Sequence, residues 1–163
     1  MTEQDTTLRP LRPDEGPLLE RATLGTMNWC GDRFTIDEIR SRPEFRHYTR
    51  LDEARGDFGV VAEADGGPVG VAWSLMLSDD DRGYGFVDES TPEVSLWVDE
   101  AARGRGLGRA LLRAVVAEAE AHGLRQVSLS VEADNFAVRL YEAEGFVAVP
   151  GRETDGVMLR RIG

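Results

Sequence analysis

The sequence predicts a mixed α/β layer rather than a helical bundle or a barrel. Segments with strand-like alternation and segments with helical periodicity follow one another in the order β-α-α-β-β-β-α-β-α-β-β. In the middle of the chain a strand, a glycine-rich turn, a long helix and another strand occur in succession, which is the order of a right-handed crossover. We expect one domain over residues 1–163, a length that allows a substantial core.

The N-terminal third is predicted to hold a short strand and two helices, followed by a polar loop. Thr35 and Glu38 have the spacing of a capping box and therefore begin the second helix. Cys30, between the two helices, is expected to be a small buried residue. The predicted bounds are 8–11 for the strand, 14–26 for the first helix with Asp14 as its cap, 35–43 for the second helix and 44–57 for the loop, with a helical turn within the loop as the alternative.

The central third is predicted to form three strands. Phe58–Ala64 and Val69–Leu77 flank Asp65-Gly66-Gly67, which is a hairpin pattern. Residues 78–92 form a long acidic connection, and a loop of that length is expected to be functional or disordered. In the next strand, Glu93–Val98, apolar residues 94, 96 and 98 share one face, and residues 93, 95 and 97 share the other.

The last third begins with the clearest helix of the chain. Leu107, Ala110, Leu111, Ala114, Val115 and Ala119 form one apolar stripe, and Gly123 is expected just after the helix end. A strand over 127–131 follows, then a helix capped at Asp134-Asn135 and ended by Gly145. The final strands are predicted at 146–149 and 157–159.

Composition and charge restrict the class of protein. The formal net charge of −11 argues against general nucleic-acid binding, and no apolar run approaches the roughly 20 residues of a membrane span. The polar N-terminus does not resemble a signal peptide, and one cysteine excludes an intramolecular disulfide and a cysteine-rich metal site. We expect a cytoplasmic protein without a metal.

The charges are unevenly distributed along the chain. Residues 101–117 hold four arginines and no acid, whereas residues 79–100 hold eight acids and only Arg82 as a base. This arrangement suits an anionic cofactor that meets a cationic substrate. Alternatively, the acidic stretch is a solvated loop that serves solubility.

The arginines belong to a glycine-rich turn that opens the long helix, Arg103-Gly104-Arg105-Gly106-Leu107-Gly108-Arg109. Free backbone N–H groups at a helix N-terminus bind phosphate groups, so this turn is a candidate phosphate site. A P-loop is excluded because the chain has no Gly-Lys-Ser/Thr triplet. The dinucleotide fingerprint fails in both registers, where Arg109 or Leu111 stands at the last position.

A third pattern, Arg/Gln-x-x-Gly-x-Gly/Ala, fits residues 103–108. With these residues the sequence resembles the GNAT family of acyl-CoA-dependent N-acetyltransferases. Asn135-Phe136-Ala137-Val138-Arg139-Leu140-Tyr141-Glu142-Ala143-Glu144-Gly145-Phe146 is similar to a later helix motif of that family, and the resemblance covers roughly residues 8–149. It implies a GNAT-like α/β (α+β) fold: a mixed, mostly antiparallel twisted sheet flanked by helices, with a splayed pair formed by the fourth and fifth strands.

The resemblance implies acetyl transfer from acetyl-CoA, the co-substrate, to an amine in a ternary complex. Backbone N–H groups of residues 103–108 would hold the pyrophosphate, with Arg103, Arg105 and Arg109 nearby; alternatively, the arginines are solvated. The backbone of Leu96 and Val98 would pair with the pantetheine arm and polarise the thioester. Asn135 matches a position that often contacts this arm, or it is only a helix cap. The expected cofactor-binding residues are therefore Leu96, Val98, Arg103, Gly104, Arg105, Gly106, Leu107, Gly108, Arg109 and Asn135.

The resemblance also implies two catalytic residues. An alkylamine arrives protonated, so a base must remove its proton, and Glu93 is the candidate. In many family members the glutamate lies six residues before the valine of Leu-x-Val, whereas Glu93 lies five before Val98 and Pro92 holds the sixth position. A β-bulge could absorb this shift, or Glu93 is a solvated carboxylate. Tyr141 matches the tyrosine that commonly protonates the leaving thiolate, or it is a core tyrosine.

The acceptor is expected to be a primary amine of a small molecule or a peptide, and the acidic loops favour a cationic one. Two alternatives remain open: a non-catalytic acyl-CoA-binding or sensing module of the same fold, and a transferase for a longer acyl group. We expect no nucleic acid or membrane partner. A homodimer is possible, since dimers are frequent in the family.

Overall fold

In the computed structural model, which describes residues 5–162, one seven-stranded sheet forms the frame of the molecule. The strands lie in the order β1-β2-β3-β4-β5-β7-β6. Their bounds are Thr7–Pro10 (β1), Phe58–Ala64 (β2), Gly67–Leu75 (β3), Glu93–Val98 (β4), Gln126–Ser130 (β5), Val147–Ala148 (β6) and Val157–Arg161 (β7). The helices are Gly16–Met27 (α1), Ile36–Ser41 (α2), Pro43–Arg46 (α3), Leu107–Ala121 (α4) and Val138–Ala143 (α5).

Neighbouring strands are antiparallel except at the centre, where β4 and β5 run parallel. Within the described residues these two strands share a single ladder pair, Glu93 with Ser128, beside the hydrogen bond from Ser128 N to Pro92 O (3.0 Å). Beyond this pair they diverge. The predicted fold class is confirmed, including the splayed central pair.

Helices cover both faces of the sheet because the strand residues alternate. Val94, Leu96 and Val98 of β4 face the core beneath α4, whereas Trp97 faces the core beneath α1. Leu111, Leu112 and Val115 of α4 are fully buried in the first of these cores. The two faces predicted for β4 and the apolar stripe of α4 thus both exist.

Helix boundaries agree with several sequence signals. The capping box of Thr35 and Glu38 is present, with Glu38 N–H donating to Thr35 Oγ1. Gly123 and Gly145 follow α4 and α5 in the left-handed conformation, and Leu124 N–H and Phe146 N–H close these ends by donating to carbonyls five residues back.

Four expectations about the N-terminal half are wrong in detail. The cap position of α1 is Glu15 rather than Asp14, because Glu15 is held there by two hydrogen bonds from Arg9 and one from Arg12 N–H. Pro43 begins a further short helix, α3, instead of only ending α2. Cys30 is exposed. The segment 44–57 contains the helical turns given as the alternative, at His47–Thr49 and Glu53–Arg55, but it is not a plain polar loop, because it buries the side chains of Phe45, His47, Tyr48, Leu51 and Asp57.

Two further findings concern the residues that the structure describes. Over residues 5–162 no helix combines the length and the apolar character needed to cross a bilayer. The same residues contain no group of three or more His, Cys, Asp or Glu side chains arranged to hold a metal ion. Residues 1–4, on which the signal-peptide expectation rests, and residue 163 lie outside the described range.

Candidate active site

A cavity of about 1050 Å³ lies at the divergence of β4 and β5. Its walls come from α1 and the residues after it, from β4, from the glycine-rich turn and the start of α4, and from the segment between β5 and α5. All predicted site residues except Arg105 line it: Glu93, Leu96, Val98, Arg103, Gly104, Gly106, Leu107, Gly108, Arg109, Asn135 and Tyr141. The fold therefore brings two distant motifs to one cavity.

The glycine-rich turn forms an open cradle in front of α4. Gly104 and Gly106 have φ angles of +82° and +78°, the left-handed region that glycine adopts without a Cβ clash. No described atom lies within 4 Å of the Cβ position at either glycine, so space remains above the turn. Helix geometry leaves the first N–H groups of α4 without intrahelical acceptors, and the positive end of the helix dipole adds to their pull on an anion.

The arginines of the turn already have partners on the protein. Arg103 Nε donates to Val98 O (3.2 Å), and Arg103 N–H donates to Glu100 O (3.3 Å). The N–H groups available to a ligand therefore begin after Arg103. Arg109 forms an ion pair with Glu144 of the segment that ends α5 (3.0 Å). Arg105 is not among the residues that line the cavity.

The edge of β4 that faces the gap carries backbone groups not used by β3. Asp99 N–H donates to Val69 O just beyond the β3–β4 ladder (2.8 Å), so odd-numbered residues of β4 direct their polar groups toward β3. By alternation, the N–H and C=O groups of Leu96 and Val98 point toward β5, where the ladder has ended. This is the placement expected of groups that pair with an extended ligand.

Glu93 lies at the vertex of the gap and is buried, with 3% of its surface exposed. The β3–β4 register is continuous from Glu93 to Val98, so no bulge within this stretch is needed to place it. Its Oε2 accepts a hydrogen bond from the hydroxyl of Tyr48, and its Oε1 accepts one from Gly85 N–H (2.8 Å). The alternative of a solvated strand-end carboxylate is wrong.

Burial is the dominant influence on this carboxyl. It raises the pKa of Glu93 to about 7 from an ordinary value of 4.5, although both hydrogen bonds favour the charged form. A carboxyl with a pKa near 7 changes its protonation state in the neutral range, which is where a general base is effective. Buried carboxyls of this kind are concentrated at functional sites.

The residues that enclose Glu93 come from two segments that the sequence did not single out. Tyr48 donates to the carboxylate and accepts a hydrogen bond from Tyr84 N–H (2.9 Å); burial, the largest cause, raises the pKa of this phenol well above its ordinary value. Residues 83–85, which we call the roof segment, pass directly over Glu93, and Ser128 Oγ donates to Gly85 O (2.7 Å) to fix the end of the segment. A weak sequence signal for Tyr48 exists, because Phe45 and Tyr48 are three residues apart, as on one helix face.

Tyr141 and Asn135 both line the cavity, and each also makes a contact within the protein. The Tyr141 ring packs edge-to-face against Phe146, with 5.9 Å between the centroids, and the residue also lines the cavity. Burial raises the pKa of Tyr141 to about 12, so this phenol keeps its proton at neutral pH. Asn135 also lines the cavity, and its Oδ1 accepts a hydrogen bond from Ala137 N–H (2.9 Å) in the turn before α5. The predicted cap at Asp134-Asn135 is wrong, because the cap position of α5 is Ala137, which makes no side-chain capping bond.

Part of the cavity wall is a contact between the loop that follows α1 and the loop that follows β5. Trp29 and Arg33, which follow α1, both contact Glu132, which follows β5. The Arg33–Glu132 ion pair measures 2.9 Å, and Trp29 Nε1 donates to the same carboxylate. This contact joins the segment after α1 to the segment after β5, and Trp29, Phe34 and Tyr84 all line the cavity.

A family model described as the acetyltransferase (GNAT) family matches residues 24–146, so the chain belongs to the GNAT acetyltransferases. This confirms the family resemblance stated on residues 103–108 and 135–146. The matched range includes Glu93, the glycine-rich turn and Tyr141, so the cavity described above lies in the part that carries the family pattern.

Among the similar proteins is mycothiol acetyltransferase of Thermobispora bispora, 41% identical over 156 residues, which are 95% of this chain and 48% of that protein. Mycothiol acetyltransferase of Geodermatophilus obscurus is 37% identical over 83% of this chain and 46% of that protein. The chain thus spans about half the length of the curated relatives it matches.

Solved structures agree on the fold. PaiA N-acetyltransferase from Thermoplasma acidophilum in complex with coenzyme A has a TM-score of 0.71 and 15% identity over 97% of this chain and 99% of that one. YncA, a putative acetyltransferase from Salmonella typhimurium with acetyl-CoA, has a TM-score of 0.65 and 23% identity over 98% of this chain and 95% of that one.

Proposed function

We propose that this chain transfers an acetyl group from acetyl-CoA to a primary amine of a small molecule or peptide, with Glu93 as the general base. The observation that carries the proposal is a buried carboxyl with a pKa of about 7 at the vertex of the gap between β4 and β5, in the cavity that the glycine-rich turn also lines. We propose further that residues 1–163 form one such domain.

The cavity fits acetyl-CoA in two respects. The open turn at Gly104 and Gly106 leaves room for a pyrophosphate against the N–H groups of α4. The polar backbone groups of Leu96 and Val98 face the gap, where an amide-containing arm would replace the missing ladder and, at Val98 O, the hydrogen bond from Arg103 Nε. When bound, acetyl-CoA supplies the thioester whose acetyl group is transferred.

The chain's own residues would move two protons. Glu93 takes a proton from the ammonium, directly or through water, since an alkylammonium with a pKa of roughly 10.4 cannot attack. A backbone N–H of the β4 edge, donated to the thioester oxygen, favours the negative charge that develops there. Tyr141 gives its proton to the departing thiolate and stays protonated until then, because its pKa is about 12. The second proton of the nitrogen is lost to water as the amide forms, and Tyr141 regains a proton from water.

Replacement of Tyr141 by phenylalanine tests the acid. The Tyr141→Phe variant keeps the ring contact with Phe146, so we expect normal folding and acetyl-CoA KM. We expect kcat to fall by about tenfold, a modest loss because a thiol with a pKa near 8.5 is a tolerable leaving group. Release of free thiol at saturating substrates measures the effect, and an unchanged kcat would remove the role.

The amine acceptor is proposed from charge and from the relatives. The acidic loop 78–92 favours a cationic amine. Two of its carboxylates already have partners, since Asp79 contacts Arg82 and Asp81 contacts His47. The name of the mycothiol acetyltransferases supports a small-molecule amine.

A free-thiol release assay over an amine panel tests the proposed function. The panel holds polyamines, aminoglycoside-like compounds, peptide amines and the amine substrate of the mycothiol acetyltransferases. We expect amine-dependent release of coenzyme A, fastest with a cationic member. Acyl-CoA binding without release for any amine would favour the sensing module, and preferential use of longer acyl-CoA esters would favour the longer-acyl transferase.

A further inference from the structure

His47 is a buried titratable side chain that the proposed mechanism does not use. Only 4% of the residue is exposed, and its Nδ1 lies 2.9 Å from Oδ1 of Asp81, which is on the acidic loop two residues before the roof segment. Its ring packs edge-to-face against that of the next residue, Tyr48, with 4.2 Å between centroids. His47 therefore touches both the hydrogen-bond partner of Glu93 and the loop that covers Glu93.

The tautomer of His47 follows from its surroundings. Nε2 is buried and has no hydrogen-bond partner among the described residues. A proton on Nε2 would leave a buried N–H unsatisfied, which is costly, whereas a lone pair there costs less. The ring proton is thus on Nδ1, where it is donated to the Asp81 carboxylate.

The roof segment has attachments on both sides and in the middle. Tyr84 N–H and Gly85 N–H donate to Tyr48 and Glu93, and after the segment Arg152 Nη1 donates to Phe86 O (3.1 Å). Before it, the contact of Asp81 with His47 is a second link to the helical layer, by which we mean α1 to α3 and the turns that follow up to residue 55. Without that contact, the start of the roof would keep only the bond from Tyr84 N–H to Tyr48 as its link to this layer.

We propose that Asp81 and His47 form a positioning pair, which holds the roof segment closed over Glu93 and keeps water away from this carboxyl. The inference rests on the proposed role of Glu93 as the base. Two titratable groups face Glu93, namely Tyr48 from the helical layer and Tyr84 from the roof. Two titratable groups face His47, namely Asp81 and Tyr48. The pair acts through hydration of Glu93, not by contact with a substrate.

Two variants of Asp81 separate the hydrogen bond from the charge. Asp81→Ala removes the acceptor of the His47 proton, whereas Asp81→Asn keeps an oxygen acceptor and removes the charge. Asp80→Ala removes an equal charge at the exposed neighbouring position and serves as the control. His47→Leu removes the donor and gives an independent second test.

Two measurements are made on each variant. The titration of the Glu93 carboxyl is followed by NMR with ¹³C-labelled glutamate, assigned by comparison with Glu93→Gln, and the pH profile of kcat/KM is followed by thiol release. In Asp81→Ala and His47→Leu, water reaches Glu93, so we expect its titration midpoint and the acid limb of the profile to move to lower pH by about 1 pH unit. Asp81→Asn and Asp80→Ala are expected to stay near wild type.

An unmoved Glu93 midpoint in both Asp81→Ala and His47→Leu overturns the proposal. So does an equal shift in Asp81→Asn and Asp81→Ala, since the charge and not the hydrogen bond would then be responsible. If the midpoint moves but the kcat/KM profile does not follow it, the positioning pair stands and the assignment of Glu93 as the base fails.

Discussion

Glu93→Gln is expected to lower kcat/KM for the amine by about 10²- to 10⁴-fold, the contribution usual for a positioned general base. Glutamine has nearly the same shape and can still accept a hydrogen bond from Tyr48 or Gly85 N–H, so the loss would reflect the missing base. In the wild type, kcat/KM should rise with pH through about 7, because only the carboxylate accepts a proton. Steady-state thiol release measures both effects.

Glu142→Gln is the matched control, since it changes an exposed carboxyl on α5. It should leave the rate and its pH profile unchanged. Retention of more than about a tenth of wild-type kcat/KM by Glu93→Gln would contradict the assignment of the base.

The same substitution has a consequence for stability. The pKa of Glu93 is about 7 in the folded protein and near 4.5 when unfolded, so the native state holds this proton more tightly. The contribution to the free energy of unfolding is complete below the unfolded pKa and is lost as the pH rises through 7. The loss is about 3 kcal/mol in the wild type and absent in Glu93→Gln. Urea denaturation of both proteins between about pH 5 and 8 gives the difference.

Gly83→Ala is expected to disturb the roof segment and the Glu93 carboxylate directly. A Cβ at residue 83 would lie 2.2 Å from Glu93 Oε1 and 2.6 Å from the Tyr48 hydroxyl oxygen, so the roof or the carboxylate has to move. Overpacking of this kind costs about 1–3 kcal/mol. A displacement of about 1 Å at a reacting group can lower the rate by about 100-fold. Thermal unfolding and kcat/KM measured well below the transition separate these two effects.

Gly67→Ala is the control for Gly83→Ala. Its Cβ would meet no described atom within 4 Å, and its φ angle is not positive. It should therefore fold and turn over as the wild type does. If Gly83→Ala did the same, the roof segment would not constrain Glu93.

The parts of the fold that the sequence predicted are those encoded by local patterns. Alternation placed β4 and its two faces, periodicity placed α4, and Gly123 and Gly145 marked the ends of α4 and α5. Cap geometry at α1 was missed because the contacts of Glu15 depend on Arg9, on a neighbouring strand. Motif spacing sufficed for the glycine-rich turn because its backbone, rather than its side chains, makes the cradle.

The environment of Glu93 could not be predicted in the same way. Its burial depends on Tyr48 and on Gly85 of the roof segment, each of which donates a hydrogen bond to the carboxylate. Tyr48 is 45 residues away in sequence and Gly85 is 8 residues away. Tyr48 and the roof lie in the longer stretches 44–57 and 78–92, whose polar and acidic compositions suggest solvent exposure. Their contribution arises only when the sheet and the helical layer close around the carboxyl. Long-range packing, not local pattern, raised the pKa.

Among the described residues, the single ladder pair between β4 and β5 joins a ladder of four strands to a ladder of three, and the core beneath α4 is continuous across both. Glu93 belongs to the one residue pair that the two ladders share. Its partner in that pair, Ser128, also holds the roof segment through Gly85 O, so the closed end of the gap and the cover of Glu93 depend on the same two residues. Under the proposed function, the base therefore stands where the space for the ligand ends.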